Sequence, residues 1–416
     1  MVLWIGIIYF LYILAKVYIS TMEIGYVARA KQLKAVILDK ESYKSAADYK
    51  ISSERVAIVE SLIDYIMFIF WVGFGLKWLD NLLQIDNTLL KSVLFVDIFI
   101  AINYIASLPT DIYTKFYLDK KYGFSKMTPK LFLGDMLKSA ILFLIFGSLV
   151  IYAISYIILN FSSWWLWGFA LVFAIILVVN LIYPTFIAPV FNKFTPLKDE
   201  ELKESIEALM QKAGLKSSGI FTMDASKRDS RLNAYFGGLG SSKRVVLYDT
   251  LLKKLSSDEL LAVLGHELGH FKHKDIIKNI ITMGALLFLM FFIFGNLPES
   301  LFNEFGLYKT PYTIISFFLL LSPVVAFVFM PIMGYISRKN EYAADAYGSE
   351  CVSEDVLANA LEKLANENRS FPRSHPLYIF FYFTHPPLIN RLQKLGKKYE
   401  NSKDDLALQN ECDNGL

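Results

Sequence analysis

Seven runs of roughly twenty predominantly apolar residues run through this 416-residue chain, and each is long enough as a helix to cross the ~30 Å hydrocarbon core of a bilayer. No water reaches a backbone in lipid, so such runs have to close their own hydrogen bonds as helices. They lie near residues 2–20, 56–76, 89–108, 139–161, 164–184, 280–297 and 313–336. The first has no basic residue before its apolar stretch and no small-residue cleavage site after it, so it reads as a retained span and not as a signal peptide. The pattern predicts an all-α polytopic membrane protein of seven transmembrane helices. Composition agrees: 55% of residues are hydrophobic and only 19% charged, outside the usual balance of a soluble domain. The net charge of 42 − 39 = +3 offers no excess of cations for nucleic acid. The two cysteines, Cys351 and Cys412, could form at most one bridge, which excludes a disulfide scaffold.

Lys and Arg collect in alternate connections. Arg29, Lys31, Lys34, Lys40 and Lys44 follow the first span, and Lys115, Lys120, Lys121 and Lys126 follow the third. The intervening connections carry Lys77, nothing, and Lys309. The positive-inside rule then sets the N-terminus outside and the C-terminus in the cytoplasm, in a plasma membrane if the source is bacterial and in the endoplasmic reticulum if it is eukaryotic. Carboxylates interrupt the apolar runs at Glu60, Asp64 and Asp97. Such groups either bond to a neighbouring helix or face a wet cavity inside the bundle.

Between Asn192 and Lys278 the chain turns polar and well punctuated. Residues 197–213 have helical periodicity with acidic residues in the first turns. The β-prone stretches 232–236 and 244–248, separated by the turn-rich GGLGSSK, predict a small hairpin. Ser257 stands as cap before a helix expected to run to about His273.

That helix carries His266-Glu267-Leu268-Gly269-His270. Residues four apart share one helix face, so both imidazoles can bind one Zn²⁺ while Glu267 takes a proton from a water activated beside it. Gly265 and Gly269 are poor helix formers and need a packing or access reason. A catalytic zinc usually takes three protein ligands. Glu341, opening Glu341-Tyr342-Ala343-Ala344-Asp345 just past the seventh span, is the expected third, and Asp345 is expected to orient His266 or His270 from behind. Otherwise the two form an acidic pair at a helix start. His273, one turn beyond the pair, reads as a solvated helix-end cation, and His375 receives no role.

HELGH, EYAAD, the NAYF of Asn233 to Phe236, the THPP of Thr384 to Pro387 and the seven spans together resemble the CAAX prenyl protease 1 family of membrane zinc endopeptidases. Further stretches agree in order, among them LPTDIYTKFYLDKKYGFSK from Leu108 and KRVVLYDTLL from Lys243. The resemblance implies that the spans enclose an intramembrane chamber with the zinc site at its cytoplasmic end, above which sits a mainly helical zincin-type catalytic domain. It implies that His266, His270 and Glu341 hold zinc and that Glu267 is catalytic. Asn233 and Ala234 match an edge strand that pairs with the extended substrate. His385 matches a histidine near the zinc that holds the oxyanion. The implied partner is a peptide or protein substrate, prenylated if the specificity carries over, cut in its C-terminal CaaX tail. The chain departs from the eukaryotic pattern at Asp229-Ser230-Arg231-Leu232, where a His-Ser precedes the Asn, and its shorter loops lean towards a bacterial relative.

On this reading residues 1–191 form a membrane domain of five spans. Residues 192–400 form a metallopeptidase domain with the HELGH helix, two spans and the third-ligand helix, and 401–416 are a mobile polar tail. The alternative activity is broad quality-control proteolysis of membrane proteins, for which known proteases are shorter with fewer spans. A third reading, a seven-span receptor or transporter with structural zinc, leaves Glu267 without a task, because structural sites are closed by four ligands and rich in Cys. Nothing in the sequence sets an oligomeric state.

Overall fold

The computed structural model describes residues 2–215, 218–237 and 244–399, so the centre of the GGLGSSK turn and the tail 401–416 lie outside the described residues. Among the described residues seven helices are long and apolar enough to cross a bilayer: Val2–Ala30, Lys40–Leu82, Thr88–Lys121, Pro129–Asn160, Trp164–Phe191, Asp275–Gly295 and Pro311–Cys351. All seven expected spans are present, and most extend well past their apolar cores. The extensions are polar turns, held for example by Asp39 and Asn87, whose side chains cap the second and third helices.

Each span packs against the next, and the seventh returns to the first, so the helices close into a ring. One end of the ring is sealed. Trp71, Phe95, Phe302 and Phe317 are fully buried there, and the Tyr312 hydroxyl donates to Asp80, which also pairs with Lys91 at 2.6 Å. The N-terminus belongs to this end, where the Val2 N–H donates to Glu304. Ionisable side chains within the ring pair across helices: Lys16 meets Asp64 at 3.3 Å, and the Ser148 hydroxyl donates to Asp97. The Asp64 side chain remains 52% exposed and Glu60 is exposed too. The cross-helix bonds of Asp64 and Asp97 fit the first of the two sequence expectations for these carboxylates.

The catalytic segment covers the other end. Its sheet is larger than the expected hairpin. Strands β1 (Phe194–Pro196), β2 (Ile220–Met223), β3 (Ala234–Gly237) and β4 (Arg244–Tyr248) take the order β1-β2-β4-β3, with β3 antiparallel and β2 parallel to β4. The first two strands lie apart in the chain with no turn between them to mark a pair, and the sequence reading missed them. A helix spans Glu200–Lys212, later than expected because Asp199 caps it, and buries Ile206 and Met210 against Val245, Leu247, Leu264 and Leu268.

Two ties fix the sheet to the membrane helices. Arg228 grips Asp135 of the fourth span through two bonds of 2.8 Å, and Arg231 reaches Asp119 at the end of the third at 3.0 Å. The Asp229–Arg231 stretch that departs from the expected pattern is thus a docking loop.

Candidate metal centre

The HELGH helix spans Ser257–Lys272, and its cap is Ser256, one residue before the expected Ser257. Ser256 and Glu259 form a reciprocal capping box, which Ser257 cannot make because its own backbone is already helical. Lys274 adopts a left-handed φ of 57°, turning the chain directly into the sixth span.

Glu341 does not start a helix. The seventh span continues unbroken for 41 residues, since no glycine or proline separates Ile336 from Glu341, and it carries Glu341 and Asp345 past the HELGH helix. The two helices cross at van der Waals contact. A Cβ on Gly269 would lie 2.8 Å from Ala344 Cα, one on Gly265 3.1 Å from Cys351, and one on Gly348 2.9 Å from the His266 nitrogen. The glycines that weaken the helix are what allow the approach.

The crossing gathers the expected ligands. His266 Nε2 lies 3.5 Å from Glu341 Oε2 and His270 Nε2 3.2 Å from Glu341 Oε1. All three offer ligand atoms within 4.8 Å of one another. Atoms bound at about 2.1 Å around a tetrahedral ion would be about 3.4 Å apart, close to these separations. Glu341 Oε2 is buried and accepts no hydrogen bond, with Arg391 Nη1 3.4 Å away as its charged neighbour. Two imidazole nitrogens and one carboxylate, with a face left open, are the donor set of a catalytic zinc site.

Behind the ligands stand two carboxylates. Asp345 Oδ1 lies 2.9 Å from His266 Nδ1, in close contact without the alignment of a hydrogen bond, and is held by Arg391 through bonds of 2.7 and 2.8 Å. Asp275 Oδ2 lies 3.0 Å from His270 Nδ1, and its other oxygen accepts from Lys278. Sequence reasoning found Asp345 and missed Asp275, although the latter follows His270 by only five residues. It missed Arg391 for want of any local signal, since all its partners lie about 50 residues upstream.

Glu267 projects into a 190 Å³ pocket walled by Asn233, Ala234, His266, His385 and Arg391. Burial raises its carboxyl above the ordinary glutamate range, against the pull of His266 and His270. His385 Nε2 lies 3.3 Å from Glu341 Oε1, with its side chain 62% exposed. His273 ends the HELGH helix as its C-cap, half-buried, with Nδ1 buried and its ring meeting Tyr347, away from the ligand cluster. His375 caps the short helix Pro376–Tyr382, accepting from the Leu377 N–H, while its own N–H donates to the buried Glu23.

Strand β3 is an edge of the sheet and runs along this pocket. Asn233 Oδ1 accepts from the Ala234 N–H at 2.8 Å. On its other side the strand walls a 780 Å³ cavity between the fifth and sixth spans, lined by Tyr235, Phe236 and Gly237 with Phe173, Leu177, Met283 and Leu287 among others, and Gly237 abuts Pro184 of the fifth span.

Comparison with known proteins places this geometry. Residues 27–193 match the CAAX prenyl protease N-terminal region of five membrane helices, and residues 196–398 match peptidase family M48. The chain is 34% identical to CAAX prenyl protease 1 of Saccharomyces cerevisiae, over 88% of each. It is 32% identical to the CAAX prenyl protease 1 homolog of Homo sapiens, over 73% of each. The crystal structure of S. mikatae Ste24p superposes with a TM-score of 0.88 at 31% identity, over 95% of this chain and 99% of that one.

Proposed function

Because the chain belongs to the CAAX prenyl protease 1 family, multi-pass membrane metallopeptidases of family M48, we propose that it hydrolyses the C-terminal CaaX tails of prenylated proteins using one zinc ion. The observation that carries the site is the convergence of His266, His270 and Glu341 beside Glu267. On this reading the two histidines and Glu341 hold the ion, with His266 set by Asp345 and His270 by Asp275. Zinc bound there supplies a Lewis acid that polarises a carbonyl and lowers the pKa of a water to about 7.

The chain's own groups do the rest. Glu267 removes the proton from the attacking water and delivers it to the nitrogen of the departing amine, so no acyl-enzyme forms. His385 faces the reacting carbonyl oxygen and steadies its developing charge. The open edge of β3 around Asn233 and Ala234 holds the peptide extended, by β-augmentation. The apolar cavity beside the fifth and sixth spans suits a lipid attached to that peptide. Basic connections gather at the catalytic end, which supports a cytoplasmic site and an N-terminus outside. The division into residues 1–191 and 192–400 follows the change from membrane bundle to catalytic segment.

The test is cleavage of a farnesylated CaaX peptide beside its unprenylated match by the detergent-purified protein, with a chelator and Glu267→Gln as controls. Cleavage of the prenylated peptide alone, dependent on metal and Glu267, is the expected result. Equal cleavage of both moves the assignment to broad quality-control proteolysis.

A further inference from the structure

The seventh span turns one face to the segment that carries His385. Arg338, Glu341 and Asp345 stand three and four residues apart, so they share that face of the helix. They meet the chain beyond residue 382 in the same order. Arg338 Nη1 donates to the Phe383 carbonyl at 2.6 Å, Glu341 Oε1 lies 3.3 Å from His385 Nε2, and Asp345 accepts from Arg391. His385 is thus held between two arginine contacts.

The first of these contacts has no acidic partner. Arg338 is half-buried, and among the described residues its hydrogen bonds go to Phe383 O and, at 3.0 Å, to Ile379 O, and to no carboxylate. Holding a guanidinium away from water without an anion is costly. Here the carbonyls at the negative, C-terminal end of the helix Pro376–Tyr382 take the anion's place. The start of that helix is moored elsewhere: the Ser374 hydroxyl and the His375 N–H both donate at 2.7 Å to Glu23 of the first span. Its end is tied to the seventh span through Arg338.

We infer that Arg338 is a positioning residue for His385, fixing residues 383–385 so that the imidazole stands ready beside Glu341. The inference deepens the proposed function and rests on its reading of His385 as the group that faces the reacting carbonyl oxygen. The His385 side chain is 62% exposed, and its Nδ1 lies 3.1 Å from the hydroxyl of its own neighbour Thr384, which moves with it. Its direction is therefore set by the backbone, and the Phe383 carbonyl that Arg338 grips is two residues away. A donor to a developing oxyanion helps to the extent that it is in place beforehand, because reorganising it at that moment costs what it would give.

Gly334 makes room for the grip. Helical side chains lean towards the N-terminus of their helix, so Arg338 lies back over the turn that holds Gly334. A Cβ on Gly334 would stand 2.8 Å from Arg338 Nη1 and 3.0 Å from Phe383 O. A methyl group at this position therefore disturbs the contact while leaving Arg338 itself in the chain, which gives a second way to loosen residues 383–385.

The experiment compares wild type, Arg338→Met, His385→Ala and the double variant on a farnesylated CaaX peptide. It separates kcat from KM, with zinc content and thermal unfolding measured in parallel. His385→Ala is expected to lower kcat by about 10²–10³-fold, as removal of one oxyanion donor does. Arg338→Met keeps the stem and loses the donors, and is expected to lower kcat at least about tenfold with KM within about twofold. The double variant should fall within about threefold of His385→Ala alone, because Arg338 then has nothing left to position. Hydrogen–deuterium exchange of residues 383–390 in the metal-free protein should rise in Arg338→Met and fall back in Arg338→Lys, which can still donate to both carbonyls and should recover most of the activity. Gly334→Ala should repeat the loss and its dependence on His385, and serves if the methionine variant fails to fold. Unchanged exchange, unchanged activity, a loss confined to KM, or losses that multiply in a folded, zinc-loaded double variant each overturn the positioning role. If His385→Ala is as active as wild type, the reading of His385 has failed and the inference falls with it. If wild type leaves the peptide uncut, the substrate reading has failed instead. The same variants are then compared on a denatured membrane protein, where multiplied losses again overturn the role and no cleavage at all overturns both.

Discussion

Gly269 meets Ala344 so closely that a Cβ on the glycine would stand 2.8 Å from the alanine's Cα, and this contact sets the distance between the histidine pair and Glu341. Gly269→Ala should therefore push the HELGH helix off the seventh span. The expected cost is about 1–3 kcal/mol of overpacking, with zinc retention falling alongside activity. Metal content after dialysis against a weak chelator, measured beside thermal unfolding, checks it. Full zinc retention with lost activity would place the effect elsewhere.

Glu267→Gln should keep zinc and lose turnover by at least about 10²-fold, since the amide preserves the shape of the side chain and cannot accept the proton. His266→Ala should lose both. Parallel metal analysis and peptide cleavage separate the two roles, and equal loss of zinc in the two variants would contradict them.

Among the candidate ligands Asp275 touches only the rear nitrogen of His270, at 3.0 Å, while its other oxygen accepts from Lys278. Asp275→Asn is expected to weaken zinc binding about 10–100-fold while leaving the fold intact. Competition with a graded series of chelators measures this directly. Asp345→Asn should do more harm, because it also strips Arg391 of its two-bonded partner in a buried setting.

Arg228→Ala removes the bidentate contact with Asp135 and the 2.9 Å bond to Asn192. A loss of about 1–3 kcal/mol is expected, read as a lower unfolding temperature in detergent. Asp135→Asn should produce much of the same effect, and the double variant little more than either alone.

The spans were legible because lipid leaves the backbone one solution and an apolar run about twenty residues long announces it. The histidine pair and Glu267 were legible because helix geometry makes spacing a statement about position. Glu341 was legible as the third member of the cluster, and its place inside the seventh helix was not, since the sequence marks where a span stops being apolar and not where its helix ends. Arg391 acts through partners that only folding brings near, and β1 and β2 stand apart in the chain without a turn to pair them. Those features have no periodicity to betray them. The turn within 238–243 and the tail 401–416 fall outside the described residues.

The uninterrupted seventh helix also orders events in time. His266 and His270 leave the ribosome first, and Glu341 follows 71 residues after His270, beyond two further spans. Until both of those spans are inserted and the last helix has crossed the first ligand helix, the growing chain holds two of its three metal donors. On the proposed ligand set, the metal site is therefore complete only when the last helix of the membrane assembly is in place.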